Sequence, residues 1–285
     1  MRAITLPISK EHAIDLLLVA GIVGVLTTVH VLVPSSLQDQ LALRPADPQW
    51  YTLLTAAYTH ASFDHLQANL IGYLLAVCYV YWLCLYLELR EWFWQTTLGL
   101  LVITPLVVNS ANVLLYGTYL PEISGVTRGF SGVVAAFVGF LLISFTAAIR
   151  EAHTAQLAQA IGVGLILLLL LLIDTVYART LRPIVAGLVI FGICVQAASV
   201  LYQRDWDTLV QTRSREQLLF QIAGGGLIVL VLAILTLQMF PAELVVDNSF
   251  VNIFAHGIGF IIGIAVSAVV LSYNRKLGSA EILKI

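Results

Sequence analysis

Hydrophobic residues in this chain run in unbroken blocks of about twenty, separated by short polar breaks. A helix rises about 1.5 Å per residue, so about 20 apolar residues cross a hydrocarbon core about 30 Å thick. Eight blocks reach or approach that length, over residues 13–34, 66–87, 94–116, 130–149, 156–174, 183–203, 217–240 and 250–273. The fifth and sixth count separately because Asp174, Arg179, Arg182 and Pro183 interrupt them. No period-two alternation points to a membrane barrel. The longest stretch outside the blocks, Ser35 to Asp64, carries Pro45, Pro48, Trp50, Tyr51 and Tyr58. Aromatic rings favour the membrane–water boundary, so this stretch is expected to lie along the interface as a loop. The pattern predicts an all-α, polytopic membrane protein forming a single membrane domain over 1–285, with tails at 1–12 and 274–285.

Composition agrees: 60% of residues are hydrophobic, 11% are charged, and the mean hydropathy is +0.94. A soluble domain carries about 25% charged residues, so a water-soluble globule is excluded, and so is a disordered chain. With 14 Lys and Arg against 16 Asp and Glu, and no basic tract, nothing tracks nucleic-acid phosphates. Placing the N-terminus in the cytoplasm puts ten of the 14 basic residues on the inner side and leaves Arg44, Arg128, Arg179 and Arg182 outside. That bias predicts a cell-membrane protein with both termini cytoplasmic. The first block has no small-residue cleavage site after it and is expected to stay as a helix. Cys78, Cys84 and Cys194 sit in apolar runs with no ligand spacing, so they read as packing residues, and neither metal nor cofactor is expected.

In so apolar a chain each intramembrane polar group needs a partner, water or a task. Three clusters stand out. His60, Ser62, Asp64, His65 and Asn69 open the second span; His65 and Asn69 are four apart on one helical face, and Ser62 or Asp64 can cap the helix start. Gly129, Phe130, Ser131 and Gly132 open the fourth span, placing a hydroxyl among the unpaired N–H groups of a helix start. Ala255, His256, Gly259 and Gly263 open the eighth; the last three lie at i, i+3 and i+7 and line one face. Each cluster alone also reads as packing: side-chain ties between helices for the first, small-residue contact for the other two. Gly132, Ala135, Ala136 and Gly139 on the fourth span offer a mate for the glycine face of the eighth, which would bring His256 toward Ser131. With eight alternating spans, the second, fourth and eighth all begin on the same, outer side, which sets the three clusters at one depth.

The set H-x-x-x-x-H-x-x-x-N, G-x-S-G and A-H-x-x-G-x-x-x-G, on His60, His65 and Asn69, on Gly129, Ser131 and Gly132, and on Ala255, His256, Gly259 and Gly263, resembles the rhomboid family of intramembrane serine proteases. The resemblance implies a rhomboid-like six-helix core, with 13–149 as the first four core helices and 217–273 as the last two. The stretch from Ser131 to His256 is long for such a core, and 156–203 is expected to be an inserted helical pair. The implied chemistry is a Ser131–His256 dyad. The oxyanion is held by the Ser131 N–H, His65 and Asn69, with the Phe130 N–H a weaker donor and His60 accessory. Gly129, Gly132, Gly259 and Gly263 serve close helix packing. The loop from Met239 to Asn248, with Pro241, Glu243 and Asp247, is expected to cap the site. Many family members carry a tyrosine four residues after the serine, where this chain has Ala135. Implied substrates are single-pass membrane proteins that unwind locally in the bilayer. Two other readings stay open: a catalytically inactive rhomboid-like protein that binds membrane clients, and a small-solute transporter or channel lined by His65, Asn69 and Asn112.

Overall fold

A computed structural model of the chain describes residues 10–119, 125–202, 215–243, 245–246 and 249–282. Both predicted tails and the basic residues Arg2, Arg204, Arg213 and Lys284 fall wholly or partly outside the described residues. Eight helices are long and apolar enough to cross a membrane. They are α1 (Lys10–Leu32), α4 (Phe63–Tyr86), α5 (Arg90–Asn112, continued by a π-helical segment Val113–Tyr119), α6 (Ser131–Ala152), α7 (Ala155–Ala178), α8 (Pro183–Tyr202), α9 (Arg215–Met239) and α10 (Ile253–Ile282). The protein is an all-helical, multi-pass membrane protein, and each span overlaps its sequence-predicted block. Val245–Val246 and Ser249–Phe250 make a two-residue antiparallel pairing just before α10.

Helix ends follow local chemistry. Ser62 caps α4 by accepting the His65 backbone N–H at 3.2 Å, and Thr154 caps α7 through the Leu157 N–H at 3.1 Å. Residues 35–64 differ from the expected irregular loop: they hold α2 (Ser35–Leu41), α3 (Thr52–Thr55) and a 3-10 turn, Ala56–Tyr58. Short helices satisfy backbone groups that an extended loop against apolar surface would strand. Tertiary bonds hold the stretch down: Tyr58 Oη donates to the Leu101 carbonyl, and Leu43 forms a two-bond bridge with Thr127.

Helix α6 is the hub, touching α4, α5, α7, α9 and α10. In its most apolar window 83% of residues are buried, against 11% in α7 and 6% in α8. α7 lies on α6 and α8 chiefly on α7, so residues 155–202 form the outermost layer of the bundle. Trp92 at the start of α5 reaches the Ser267 carbonyl midway along α10, and Gln238 at the end of α9 reaches the Ala68 carbonyl early in α4, while the Met239 carbonyl lies against His256 at the start of α10 and α6 begins beside it at Gly132–Gly259. Helices α4, α6 and α10 therefore begin at one end of the bundle.

At the opposite end Asp15 of α1 is buried and ringed by donors. Tyr81 Oη stands at 2.8 Å, Arg90 Nε and Nη2 at 2.6 and 2.7 Å, and Trp94 Nε1 at 2.9 Å. Arg90 thus ties α1 to the α4–α5 turn. A buried carboxylate stripped of its cation loses most of its compensation, at a cost of about 3–5 kcal/mol, whereas one uncharged donor to a carboxylate is worth about 1.5–3 kcal/mol. Arg90→Leu is expected to destabilise the protein more than Trp94→Phe, as measured by unfolding in detergent micelles.

Candidate active site

The contact that builds the site is the seam between α6 and α10, the most extensive helix–helix contact in the molecule. A Cβ on Gly259 would overlap the Gly132 carbonyl, one on Gly263 the Ala136 carbonyl, and one on Gly139 the Phe260 carbonyl. Gly132 meets Gly259 and, four residues on in each helix, Ala136 meets Gly263, so the helices run parallel with their backbones in direct contact. The predicted mating of the two small-residue faces is what the structure contains. The same Gly259 position lies 3.2 Å from the Ala135 Cβ. Ser131 stands one turn before Ala135, and His256 one turn before Gly259, both toward the shared starting end. The seam thus brings the serine and histidine positions to one level on adjoining faces.

His256 is 5% exposed, and its Nδ1 lies 2.5 Å from the Met239 carbonyl at the end of α9. A carbonyl only accepts, so Nδ1 carries the ring proton and Nε2 presents a lone pair. The Phe240 ring meets the imidazole edge to face at 6.1 Å. Met239 and Phe240 thus supply support that Ala135 is too small to give. Neither was singled out in sequence as a support for the histidine, because a backbone carbonyl leaves no residue signature. Among the described residues no hydrogen bond joins Ser131 Oγ to His256; such pairs are commonly loose without substrate and tighten in the reacting complex.

Helix α4 supplies the other wall. Gly129 has φ of +128°, a conformation that favours glycine, and a Cβ there would lie 2.8 Å from His65 Nε2. Gly129 thereby lets the His65 ring sit against the turn leading into Ser131. Asn69, one turn after His65, is 4% exposed, and its Nδ2 has no hydrogen-bond partner. A buried donor left open is costly and marks a place where an acceptor can be received. The N–H groups of Ser131 and Gly132 precede the first intrahelical bond, as at any helix start.

His60 is 2% exposed and accepts the Phe130 N–H at Nε2, 3.3 Å away, while its ring meets His65 edge to face at 5.3 Å. The Phe130 N–H, expected as a weaker oxyanion donor, is turned to His60 instead. The Phe130 side chain is a buried wedge against Tyr58 and Tyr73, both at 5.7 Å. Burial, then the neighbouring His65 and His30, hold His60 down at about 3, so it is neutral. Of the expected capping loop, Pro241 and Glu243 are described, while Asp247 and Asn248 lie outside the described residues. Asn112 does not stand open to a lumen as a channel lining would; it bonds to Asn109 and Asn252. No family model, curated protein or solved structure matches the chain.

Two expectations follow. Gly263→Ala should force α6 and α10 apart, costing about 1–3 kcal/mol of stability, and displace His256 from Ser131; unfolding measurements with crosslinking across the seam read both effects. His60 titrates near 3 in the folded chain and near 6.5 when unfolded. Between those values the unfolded chain binds the extra proton, so the His60 contribution is complete above pH 6.5 and erodes as pH falls toward 3. His60→Gln, which keeps an acceptor for Phe130, should make acid unfolding over that range shallower than in wild type.

Proposed function

We propose that this chain is an intramembrane serine endopeptidase of the rhomboid type, acting on single-pass membrane proteins within the bilayer. The observation that carries the reading is the orientation of His256. Its Nδ1–H is held by the Met239 carbonyl, and its Nε2 lone pair is left for a partner on the level of Ser131. Ser131 Oγ attacks the scissile carbonyl carbon as Nε2 removes the hydroxyl proton. The oxyanion is received by the Ser131 N–H, the open Asn69 Nδ2 and the His65 ring. Collapse of the tetrahedral species breaks the C–N bond, and His256 gives its proton to the leaving amine. Water then attacks the acyl-serine ester, His256 takes the water proton and returns it to Ser131 Oγ, and the carboxyl product leaves. No carboxylate is needed, because a backbone carbonyl does the orienting that an aspartate does in a triad.

Substrate helices hide their carbonyls in internal hydrogen bonds, so cleavage requires a segment that unwinds near the site. A wild-type preparation reconstituted in vesicles with a fluorescent single-pass substrate is expected to cleave it. Ser131→Ala and His256→Ala should fall to background, and Asn69→Ala should lower kcat by about 10²–10³-fold. Cleavage that survives in either dyad variant rejects the dyad. Absence of both cleavage and Ser131 labelling by a fluorophosphonate in wild type favours an inactive, client-binding protein.

A further inference from the structure

We propose that Asn252 is a positioning residue for His256, held in place by a ladder of buried side-chain amides that runs from α10 through α5 to the interfacial segment. Asn252 immediately precedes α10, and its Oδ1 accepts the Ala255 N–H at 3.0 Å, the hydrogen bond of a helix N-cap. The same oxygen lies 3.3 Å from Tyr116 Oη. Its Nδ2 donates to Asn112 Oδ1 at 2.8 Å, Asn112 Nδ2 points to Asn109 Oδ1 at 3.4 Å, and Asn109 Nδ2 donates to the Leu53 carbonyl at 2.9 Å. Every amide accepts on one side and donates on the other, so the ladder has a single polarity. Rotating any one of them would set oxygen against oxygen or N–H against N–H.

Asn112 is 1% and Asn109 4% exposed, so the ladder runs through surroundings where unpaired amides are costly. Its far end is a backbone carbonyl in α3, and its near end is the first turn of the helix that carries His256. Among the described residues no carboxylate bonds the imidazole, and where Nε2 points is set by the Met239 carbonyl and Phe240 ring against it and by the capped start of α10 under it. Displacing a reacting group by about 1 Å costs about 10²-fold in rate, so a helix start free to shift forfeits much of the dyad's efficiency.

This inference rests on the protease reading for its kinetic consequence only; its structural content is independent. Asn112→Leu breaks the link to Asn252 while leaving the cap in place. Asn112→Asp restores it, because a carboxyl kept neutral by burial accepts from Asn252 and donates to Asn109. Two readouts are taken on the full-length protein in micelles: kcat and KM on one fluorescent substrate, and the nitrogen-15 signals of histidine-labelled protein, which report the His256 tautomer. Asn112→Leu should lower kcat by about 10–100-fold with KM within about twofold, and should lose or broaden the His256 signal with unprotonated Nε2. Asn112→Asp should recover both. Trp94→Phe, at the opposite end of the bundle, should lose stability yet keep kcat and the signal. If Asn112→Leu does not fold, Asn252→Ser, which keeps the cap and loses the donor to Asn112, takes its place. An unchanged His256 signal in the ladder variant overturns the proposal. Failure of the wild type to cleave or to label at Ser131, with the signal still sensitive to Asn112, overturns the protease reading and leaves the ladder standing.

Discussion

Two backbones in direct contact, α6 and α10 at Gly132–Gly259 and Ala136–Gly263, set the geometry on which everything else rests. In lipid no hydrophobic gain drives helices together, because acyl chains solvate a leucine as well as another helix does. Close approach must therefore come from small residues that let main chains touch and dispersion accumulate. The glycine face of α10 meets that condition, and the carbonyls of α6 fill the space where side chains would otherwise stand. Because Ser131 directly precedes Gly132 and His256 stands one turn before Gly259, the seam that stabilises the bundle also sets how the two positions lie relative to each other.

Around that seam, polar groups gather at both ends of the bundle. At one end, Asp15 with Tyr81, Arg90 and Trp94 forms a fully engaged cluster that pins α1 to the α4–α5 turn. At the other, the asparagine ladder and His60 Nε2 are engaged, while His60 Nδ1 and Asn69 Nδ2 are left open near the start of α6. Satisfied polar groups rigidify a structure, and an unsatisfied one in the same apolar surroundings is an expense retained for some return.

Much of this was legible in the chain. Eight apolar blocks dictated eight spans, since length and hydropathy alone decide what can cross a bilayer. The i, i+3, i+7 spacing of His256, Gly259 and Gly263 and the small residues of α6 named the two faces that meet. Other parts were illegible because they depend on groups every residue carries. The Met239 carbonyl that orients His256, and the Phe130 N–H turned to His60, are main-chain atoms with no letter of their own. Residues 35–64 read as a loop from their prolines and aromatics, yet α2 and α3 form there because their backbone groups need partners near the membrane. Asn252 carried a faint mark, an asparagine near the start of the last apolar block, where an N-cap can stand.

What the sequence by itself determined was class, span number and the residue types able to do chemistry, because those follow from solvent transfer and covalent identity. The tertiary structure alone decided which of them stand at one level of the bundle, which nitrogen of His256 is engaged, and which donors are already spent. Those answers depend on distances between segments far apart in the chain, and only the packing of one helix on another sets such distances.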